Sequence, residues 1–369
     1  ISPSLDGRFD NPSTPEIDHY DQSGFSRAEI ENTNMAIFGN VNIHTSENVT
    51  LFAGFRFLRE EIKGTVSGTR IDKNPLVGSL DDNNAPASSI DVGPFSSDAS
   101  DTASIGRAGV QYQFADNTMV YATYSTGFKG RGYSTGYFAS ADRFGAEPVD
   151  PEKSKSAEFG IKSTLFDGRA RLNANLFRTE INGYQLTFRD LTTLVNSLNS
   201  VEAVQTEGLE VDFDLAATEN LTFNARLAFM DATFLSYANS NNADLSGTTL
   251  PNAPEFKGIF SARYENNLAD NLVGFAQLSY RYQGDVNYLQ SGGSFDQYAG
   301  QDSFGVADLS LGVSTLDGRY SASIFAKNLL DEFYVTGISP NGNAGGGFVL
   351  HQLSRDYSRY IGATLSVNF

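Results

Sequence analysis

The sequence predicts an all-β protein, a transmembrane antiparallel β-barrel of about thirteen strands. Three observations lead there: turn signals that recur at a near-constant interval, strand-like runs between them that alternate apolar and polar residues, and segregation of short from long connections. The turn signals are Glu47-Asn48, Asp116-Asn117, Asp167-Gly168, Glu219-Asn220, Asp270-Asn271 and Asp317-Gly318, about fifty residues apart with one longer gap. Such pairs supply the positive φ angles that tight hairpin turns need.

Taken in order, residues 1–27 read as an extracellular loop or strand remnant, and residues 28–369 as the barrel, whose first strand covers about Ala28 to His44. Each turn signal is then flanked by two strand-like runs. Alternation is clearest after Glu207, where Leu209, Val211, Phe213 and Leu215 interleave with Glu210, Asp212 and Asp214. The next run repeats it with Leu221, Phe223, Ala225, Leu227 and Phe229 against Thr222, Asn224 and Arg226. The two form a hairpin about Glu219-Asn220, apolar on one face and polar on the other. Alternation alone fits a soluble sandwich or a membrane barrel; strand length and loop asymmetry favour the barrel. Many runs reach ten residues or more, the length a tilted membrane strand requires, about 9 to 11.

The long connections, roughly Thr65 to Thr102, Lys129 to Lys153, Ser236 to Glu255, Leu289 to Ser303 and Thr336 to Leu353, alternate with the tight turns. Short turns on one side and long loops on the other is the outer-membrane pattern, with the short turns periplasmic. Six turns join twelve strands and the run from Ser354 to Phe369 adds a thirteenth, so the first and last strands both run toward the turns and would meet parallel. Single-chain bacterial barrels close antiparallel, and an open edge in lipid costs several kcal/mol per unmet backbone group. The expectation is therefore an incomplete barrel with strands missing upstream. The start at Ile1, without initiator Met, basic segment or apolar signal core, agrees with a processed N-terminus or a sequence that begins mid-protein.

Composition narrows function by exclusion. Glycine (35), Tyr (17) and Phe (28) suit strands and turns, and no run approaches the roughly 20 apolar residues of a membrane helix. With no cysteine there is no disulfide framework, thiolate metal site or cysteine nucleophile. A net charge of −18 argues against a nucleic-acid partner, which would need clustered Lys and Arg.

Several segments resemble TonB-dependent outer-membrane receptors. PEKSKSAEFGIKS from Pro151 is similar to the Pro-Glu, then Glu-x-Gly-x-Lys opening of a mid-barrel strand. TEGLEVDFDL from Thr206, PNAPEF from Pro251 and FAKNLLDEFY from Phe325 resemble later segments in the same order, and YATYSTGFKGRGY from Tyr121 a strand-to-loop passage. The C-terminal RYIGATLSVNF, with Ile361, Ala363, Leu365, Val367 and Phe369 alternating up to a terminal aromatic, resembles the assembly signal of outer-membrane proteins. The resemblance implies the C-terminal portion of a 22-stranded barrel, with the plug domain and energy-coupling box absent from this sequence. It also implies import of a scarce bulky nutrient, most readily a ferric siderophore-type ligand, across the bacterial outer membrane. The implied partners are TonB acting through the missing plug, the barrel-assembly machinery, outer-membrane lipids and lipopolysaccharide, and a small-molecule nutrient. A passive porin-like channel and a soluble all-β adhesin or carbohydrate-binding module are the alternatives.

An enzyme is not indicated. His19, His44 and His351 stand far apart in no ligand-like spacing, no Gly-x-Ser-x-Gly turn is present, and the Gly345 to Gly347 run lacks the context of a phosphate loop. Glu210, Asp212 and Asp214 read as solvated lumen lining, and Asp81, Asp82, Asp91, Asp98 and Asp101 as loop acidity without calcium-loop spacing. No catalytic residue, metal site or cofactor is expected. The ligand-binding candidates lie in the long loop after Phe128: Lys129, Arg131 and Arg143 supply charge, and Tyr133, Tyr137 and Phe138, with Phe144 beside them, supply stacking surface. The competing reading of that loop is an aromatic belt touching lipopolysaccharide.

Overall fold

A computed structural model of the 369-residue chain describes residues 21–73, 88–133, 148–189, 196–238, 243–289, 296–343 and 346–368. Its strands are β1 (Asp21–His44), β2 (Val49–Lys73), β3 (Ser88–Ala115), β4 (Thr118–Lys129), β5 (Glu152–Leu165), β6 (Ala170–Arg189), β7 (Asn196–Ala216), β8 (Leu221–Ser236), β9 (Phe256–Ala269), β10 (Leu272–Gln283), β11 (Val286–Asn287), β12 (Gly300–Gln301), β13 (Phe304–Thr315), β14 (Tyr320–Lys327), β15 (Gly337–Asn343), β16 (Gly346–Gln352) and β17 (Tyr360–Val367). Thirteen of them form one sheet, in the order β1 to β10, β13, β14, β17. Neighbours are antiparallel throughout. The other four make two small hairpins, β11 with β12 and β15 with β16, in the long loops.

All six sequence-read turn signals fall between consecutive strands at the same end of the sheet. At one turn Phe166, Asp167 and Gly168 adopt φ of 54°, 53° and 89°, the left-handed region that glycine and Asx tolerate best. At another, Asp317 Oδ1 accepts from Thr315 Oγ1 (2.5 Å) and from the Arg319 N–H (3.0 Å), fixing the chain around Gly318 at φ 67°. The turns also continue the ladder sideways. The carbonyls of Asn48, Asn117, Arg169, Asn220, Asn271 and Arg319 accept from Gln113, Thr164, Ala216, Glu265, Leu316 and Asn368, at 2.7 to 3.3 Å. Each turn is thus bonded to the strand of the following hairpin.

The register sorts side chains into two chemically distinct faces, because alternate residues of a strand point to opposite sides. One unbroken row across strands β1 to β9 reads Ile43, Leu51, Val110, Ala122, Phe159, Leu176, Leu209, Phe229, Phe256. A second, across β8 to β17, reads Phe223, Ala262, Leu278, Leu309, Ala326, Ile361. On the opposite face a row runs Lys162, Asn173, Asp212, Arg226, Ile259, Arg281. Leu209, Val211, Phe213, Leu221, Phe223, Leu227, Ile361, Leu365 and Val367, expected on the outer surface, include no buried residue, and Leu365 is 83% exposed. That inverts the soluble rule and is the pattern of a sheet whose apolar face meets lipid.

Two expectations are corrected. The connection placed at Thr65 to Thr102 is mostly strand: β2 continues to Lys73 and β3 begins at Ser88. The first strand starts at Asp21 rather than near Ala28. In both places Ser, Gly, Thr and Asp interrupt the run and apolar residues alternate only briefly, which removes the sequence signal of a strand. With thirteen strands, β1 and β17 both run toward the turns; β1 pairs with β2 and β17 with β14, and among the described residues the sheet does not close.

Buried apolar residues gather instead under the long loops. Val201, Val204, Ala232, Phe234, Tyr237, Leu245 and Leu250 form one such core, where residues 248–250 bond back to β8. Ala299, Val335 and Ile338 form a second, and Phe304, Val306 and Tyr334 a third. The KNLLDEFY segment is held by Asn328, fully buried at φ 48°. Its Nδ2 donates to the carbonyls of Glu332 (2.8 Å) and Asp356 (3.1 Å), and its Oδ1 accepts from the Glu332 N–H (2.9 Å).

Two predictions follow from this architecture. Val211→Arg on the apolar face is expected to destabilise the bilayer-reconstituted protein by about 2 to 4 kcal/mol, and Asn173→Arg on the polar face by well under half of that, read by equilibrium denaturation. Equal costs would reject the assignment of faces. Asn328→Ala strands three buried backbone groups and is expected to cost roughly 3 kcal/mol locally, seen as faster proteolysis within residues 329–359 while the strands stay protected; unchanged cleavage would refute it.

Candidate functional site

The turn-free end of the sheet is where Lys129, Arg131 and Tyr133 lie. Lys129 closes β4, and its Nζ is 2.7 Å from Glu152 Oε1 at the start of β5. Two residues on, the chain folds over the polar face, and Gly132 bridges to Val149. Arg131 holds it there: its Nε and Nη2 donate to both oxygens of Asp101 on β3 (2.7 and 3.3 Å), and Nη1 donates to Asp150 (3.1 Å). The hydrogen bond to Asp101, foremost, pushes the guanidinium pKa above its ordinary value. A planar fork facing a carboxylate is the strongest geometry available to such a pair.

Tyr133 lies against Gly64 of β2, where an added Cβ would meet its ring at 2.9 Å, and its hydroxyl donates to the Ser97 carbonyl (3.0 Å). Glu60, nearly buried on β2, accepts from Asn32 (2.5 Å) and Asn34 (3.5 Å), and its carboxylate occupies the space a side chain at Gly130 would need. Gln185 of β6 donates to the carbonyls of Gly130 (2.8 Å) and Asp150 (3.0 Å). The structure therefore engages Lys129, Arg131 and Tyr133 with the wall of the sheet one after another, Lys129 at β5, Arg131 at β3 and Tyr133 at β2 and β3. Tyr137, Phe138 and Arg143 lie outside the described residues.

The charge balance differs from the sequence picture. Lys129 and Arg131 face Glu152, Asp101 and Asp150, so the cations are matched by carboxylates. Asp101, read as loop acidity, is a strand residue and the anchor of Arg131. Nothing in local sequence marks these partners, which are 30 and 19 residues from Arg131. His44, one of the discounted histidines, contacts Thr50 at 2.9 Å beside a tight turn. Among the described residues no group of His, Asp and Glu is arranged to hold a metal ion.

A second concavity of about 400 Å³ opens on the polar face, lined among others by Asn173, Asn175, Glu210, Asp212, Arg226, Lys257 and Arg281. Arg226 is fixed between Asp212 (3.1 Å) and Asp214 (2.6 Å), and Asp214 also binds Arg171 (2.6 Å). Asn175 donates to Glu210 (3.3 Å). Arg281 donates to the Tyr334 hydroxyl (3.1 Å), and the Tyr334 ring stacks on Phe304 (4.5 Å, 11°). Glu210, Asp212 and Asp214 thus belong to a wall of paired charge lining the lumen side. Arg281 and Tyr334, which sequence reading did not single out, couple that wall to the loop between β14 and β17. The Tyr288 hydroxyl donates to the Val335 carbonyl (2.8 Å) and Gln301 accepts from the Val335 N–H (3.0 Å), tying this loop to the one between β10 and β13.

Comparison with known proteins agrees with this geometry. Residues 4–329 match the family described as TonB dependent receptor-like, beta-barrel. A probable TonB-dependent siderophore receptor, PiuA of Acinetobacter baumannii, is 23% identical over 239 residues, covering 61% of this chain and 32% of that protein. Among solved structures, the ferric yersiniabactin uptake receptor FyuA of Yersinia pestis superposes with a TM-score of 0.71 at 19% identity, over 98% of this chain and 48% of that one. The copper transporter OprC gives 0.65 at 18% identity, over 92% and 48%. The chain thus spans less than half the length of these relatives. It belongs to the TonB-dependent receptors, bacterial outer-membrane proteins, and carries part of their β-barrel.

Proposed function

We propose that this chain forms wall and mouth of an importer that takes up a ferric siderophore-type chelate, energised by TonB through a plug domain. The observation that carries the reading is the two-faced sheet: an apolar face across all thirteen strands, a lumen face of paired charge, and long structured loops at one end only. Siderophore receptors among the relatives support this choice of ligand. A soluble adhesin has no use for an exposed apolar belt, and nothing favours a passive pore over gated import.

In this reading Ile361, Ala363, Leu365, Val367 and Phe369 present the assembly signal to the barrel-assembly machinery. The alternating residues of β17 stand exposed, as such recognition requires, and Phe369 lies outside the described residues. Ligand contact comes from Lys129, Arg131 and Tyr133 with Tyr137, Phe138 and Arg143. Because Arg131 is clamped by two carboxylates, an anionic chelate must draw it from Asp101 or share it, which tunes affinity downward and makes release easier.

The test uses the receptor in outer membranes and a ferric tris-catecholate as probe. Energised uptake is expected in TonB-positive cells and is expected to vanish without TonB; equal uptake in both would favour a passive pore. Replacing Lys129, Arg131 and Arg143 with Ala is expected to weaken equilibrium binding by roughly tenfold, the effect of about 1.4 kcal/mol. Asp101→Asn, which frees Arg131 but keeps its charge, separates contact from loop support: binding should hold or tighten. Wild-type affinity in the triple variant would remove the cationic site and leave the family assignment untouched.

A further inference from the structure

Two arginines on the lumen face of β1 to β4 differ from the other cations in what surrounds them. Arg56 on β2 stands opposite Phe38 of β1 and Ile105 of β3, and Arg107 on β3 stands opposite Gly54 of β2 and Ser125 of β4. They are diagonal neighbours on one face. The lumen-side cations Lys129, Arg131, Arg171, Arg226 and Lys327 each meet a carboxylate. Arg56 and Arg107 meet none among the described residues. On this face no residue directly opposite or diagonal to either of them is acidic. The row that begins at Arg107 continues as Ser125, Ser156, Thr179 and Thr206, with a hydroxyl at every strand. The carboxylates beyond this patch are already engaged: Glu60 by Asn32 and Asn34, Asp101 by Arg131, and Glu158 by the Tyr121 hydroxyl.

Aromatic rings stand where the carboxylates would be. The Arg56 guanidinium lies 6.0 Å from the centre of the Phe38 ring and donates to Asn34 Oδ1 (3.3 Å), and the Arg107 guanidinium lies 5.7 Å from the centre of the Phe52 ring. Phe52 can rest against β3 because residue 109 is glycine, where any side chain would collide with the ring. The stem of Arg107 crosses over Gly54. Both guanidinium groups are thus positioned by packing and keep most of their N–H groups for a ligand. Arg56 sits between Phe55 and Phe57, which are exposed on the lipid side, and the outer face of β2 becomes charged only at Arg59, Glu61 and Lys63. The patch is therefore level with the loop-side edge of the apolar belt. It is deeper than the mouth: from Asp101, which holds Arg131, down β3 to Arg107 is roughly 20 Å at the rise of an extended strand.

We propose that Arg56 and Arg107 form an inner anion-binding station, and that an anionic chelate released from the Arg131 clamp next meets the wall of β1 to β4. This rests on the reading of the chain as part of an importer of such a chelate, and adds where in the lumen the cargo goes. The wall of β6 to β8 is a poor alternative, because Asp212 and Asp214 already hold Arg226 there. At Arg56 and Arg107 a carboxylate or catecholate oxygen finds paired N–H donors without displacing an internal carboxylate, and an aromatic part of the ligand finds the Phe38 and Phe52 rings beside them. The distance from the mouth is too long for one small chelate to touch both sites, so the two act in sequence.

The full-length receptor in outer membranes is titrated with a ferric tris-catecholate at several salt concentrations. Wild type is expected to bind it with an affinity that falls as salt rises. The Arg56→Gln, Arg107→Gln double variant is expected to bind at least about tenfold more weakly and with a flatter salt dependence, since two charges that face the anion are gone. Phe52→Leu, which keeps both charges and removes the ring beside Arg107, is expected to weaken binding about threefold. It serves alone if the double variant does not assemble; heat-resistant migration on a gel reports assembly for both. Wild-type affinity in an assembled double variant or in Phe52→Leu overturns the inner station and leaves the importer reading in place. So does weakened binding whose salt dependence stays that of wild type, which would mark a structural effect. A wild-type receptor that does not bind the probe at all overturns the importer reading, and this inference with it.

Discussion

Hydrogen bonding of the backbone in a medium without water is the constraint from which the rest follows. Inside the hydrocarbon layer an unmet N–H or C=O costs several kcal/mol, so a spanning β structure must bond each strand on both sides. The eleven strands between β1 and β17 meet this demand with an antiparallel neighbour on each side, and the turns extend it, each with a carbonyl that accepts from the neighbouring hairpin. With the backbone satisfied internally, the side chains are released to divide by solvent: Leu176, Leu209 and Phe229 toward lipid, Asn173, Asp212 and Arg226 toward the lumen. Paired charge on the lumen side is tolerable because that side is wet, where Arg226 and Asp214 keep part of their hydration.

Above the membrane the rules revert to those of a soluble protein. The loops bury Phe234, Val204 and Leu245, satisfy Asn328 completely, and stack Tyr334 on Phe304. The chain therefore contains two folding regimes joined at the strand ends. One is ordered by the ladder and stabilised by lipid; the other consists of small cores that depend on a few side chains each. Two of the long loops share contacts through Val335, which makes them a unit rather than independent arms.

Much of this was legible in the sequence, for physical reasons that can be located. Asp167-Gly168 and Asp317-Gly318 announce turns because few residues accept their backbone angles, and the hairpin from Glu207 to Phe229 shows its faces because each face meets a different solvent. Where Ser, Gly, Thr and Asp break the alternation the signal fails, which is why β2 beyond Thr65 and β3 before Thr102 passed for loop. The site was legible only by residue type. That Lys129, Arg131 and Tyr133 follow one another along the wall could be read from their adjacency, but Asp101 and Asp150 as partners of Arg131 are set by register and by a fold-back no local pattern encodes. Asn328 was visible inside a family-like segment, though its role as an internal brace for the loop is apparent only from its hydrogen bonds.

The length of the first three strands has a consequence for encounters at the cell surface. They contain 24, 25 and 28 residues, whereas about 9 to 11 cross the hydrocarbon. At roughly 3.3 Å per residue and a tilt near 40°, the surplus carries a hydrogen-bonded parapet on the order of 30 to 40 Å past the bilayer. A wall of that height stands among the surface sugars instead of beneath them. Large visitors such as antibodies or phage tail fibres would meet this rim before anything else, and a small chelate would enter a shaft already walled on one side before it reached the level of the lipid headgroups.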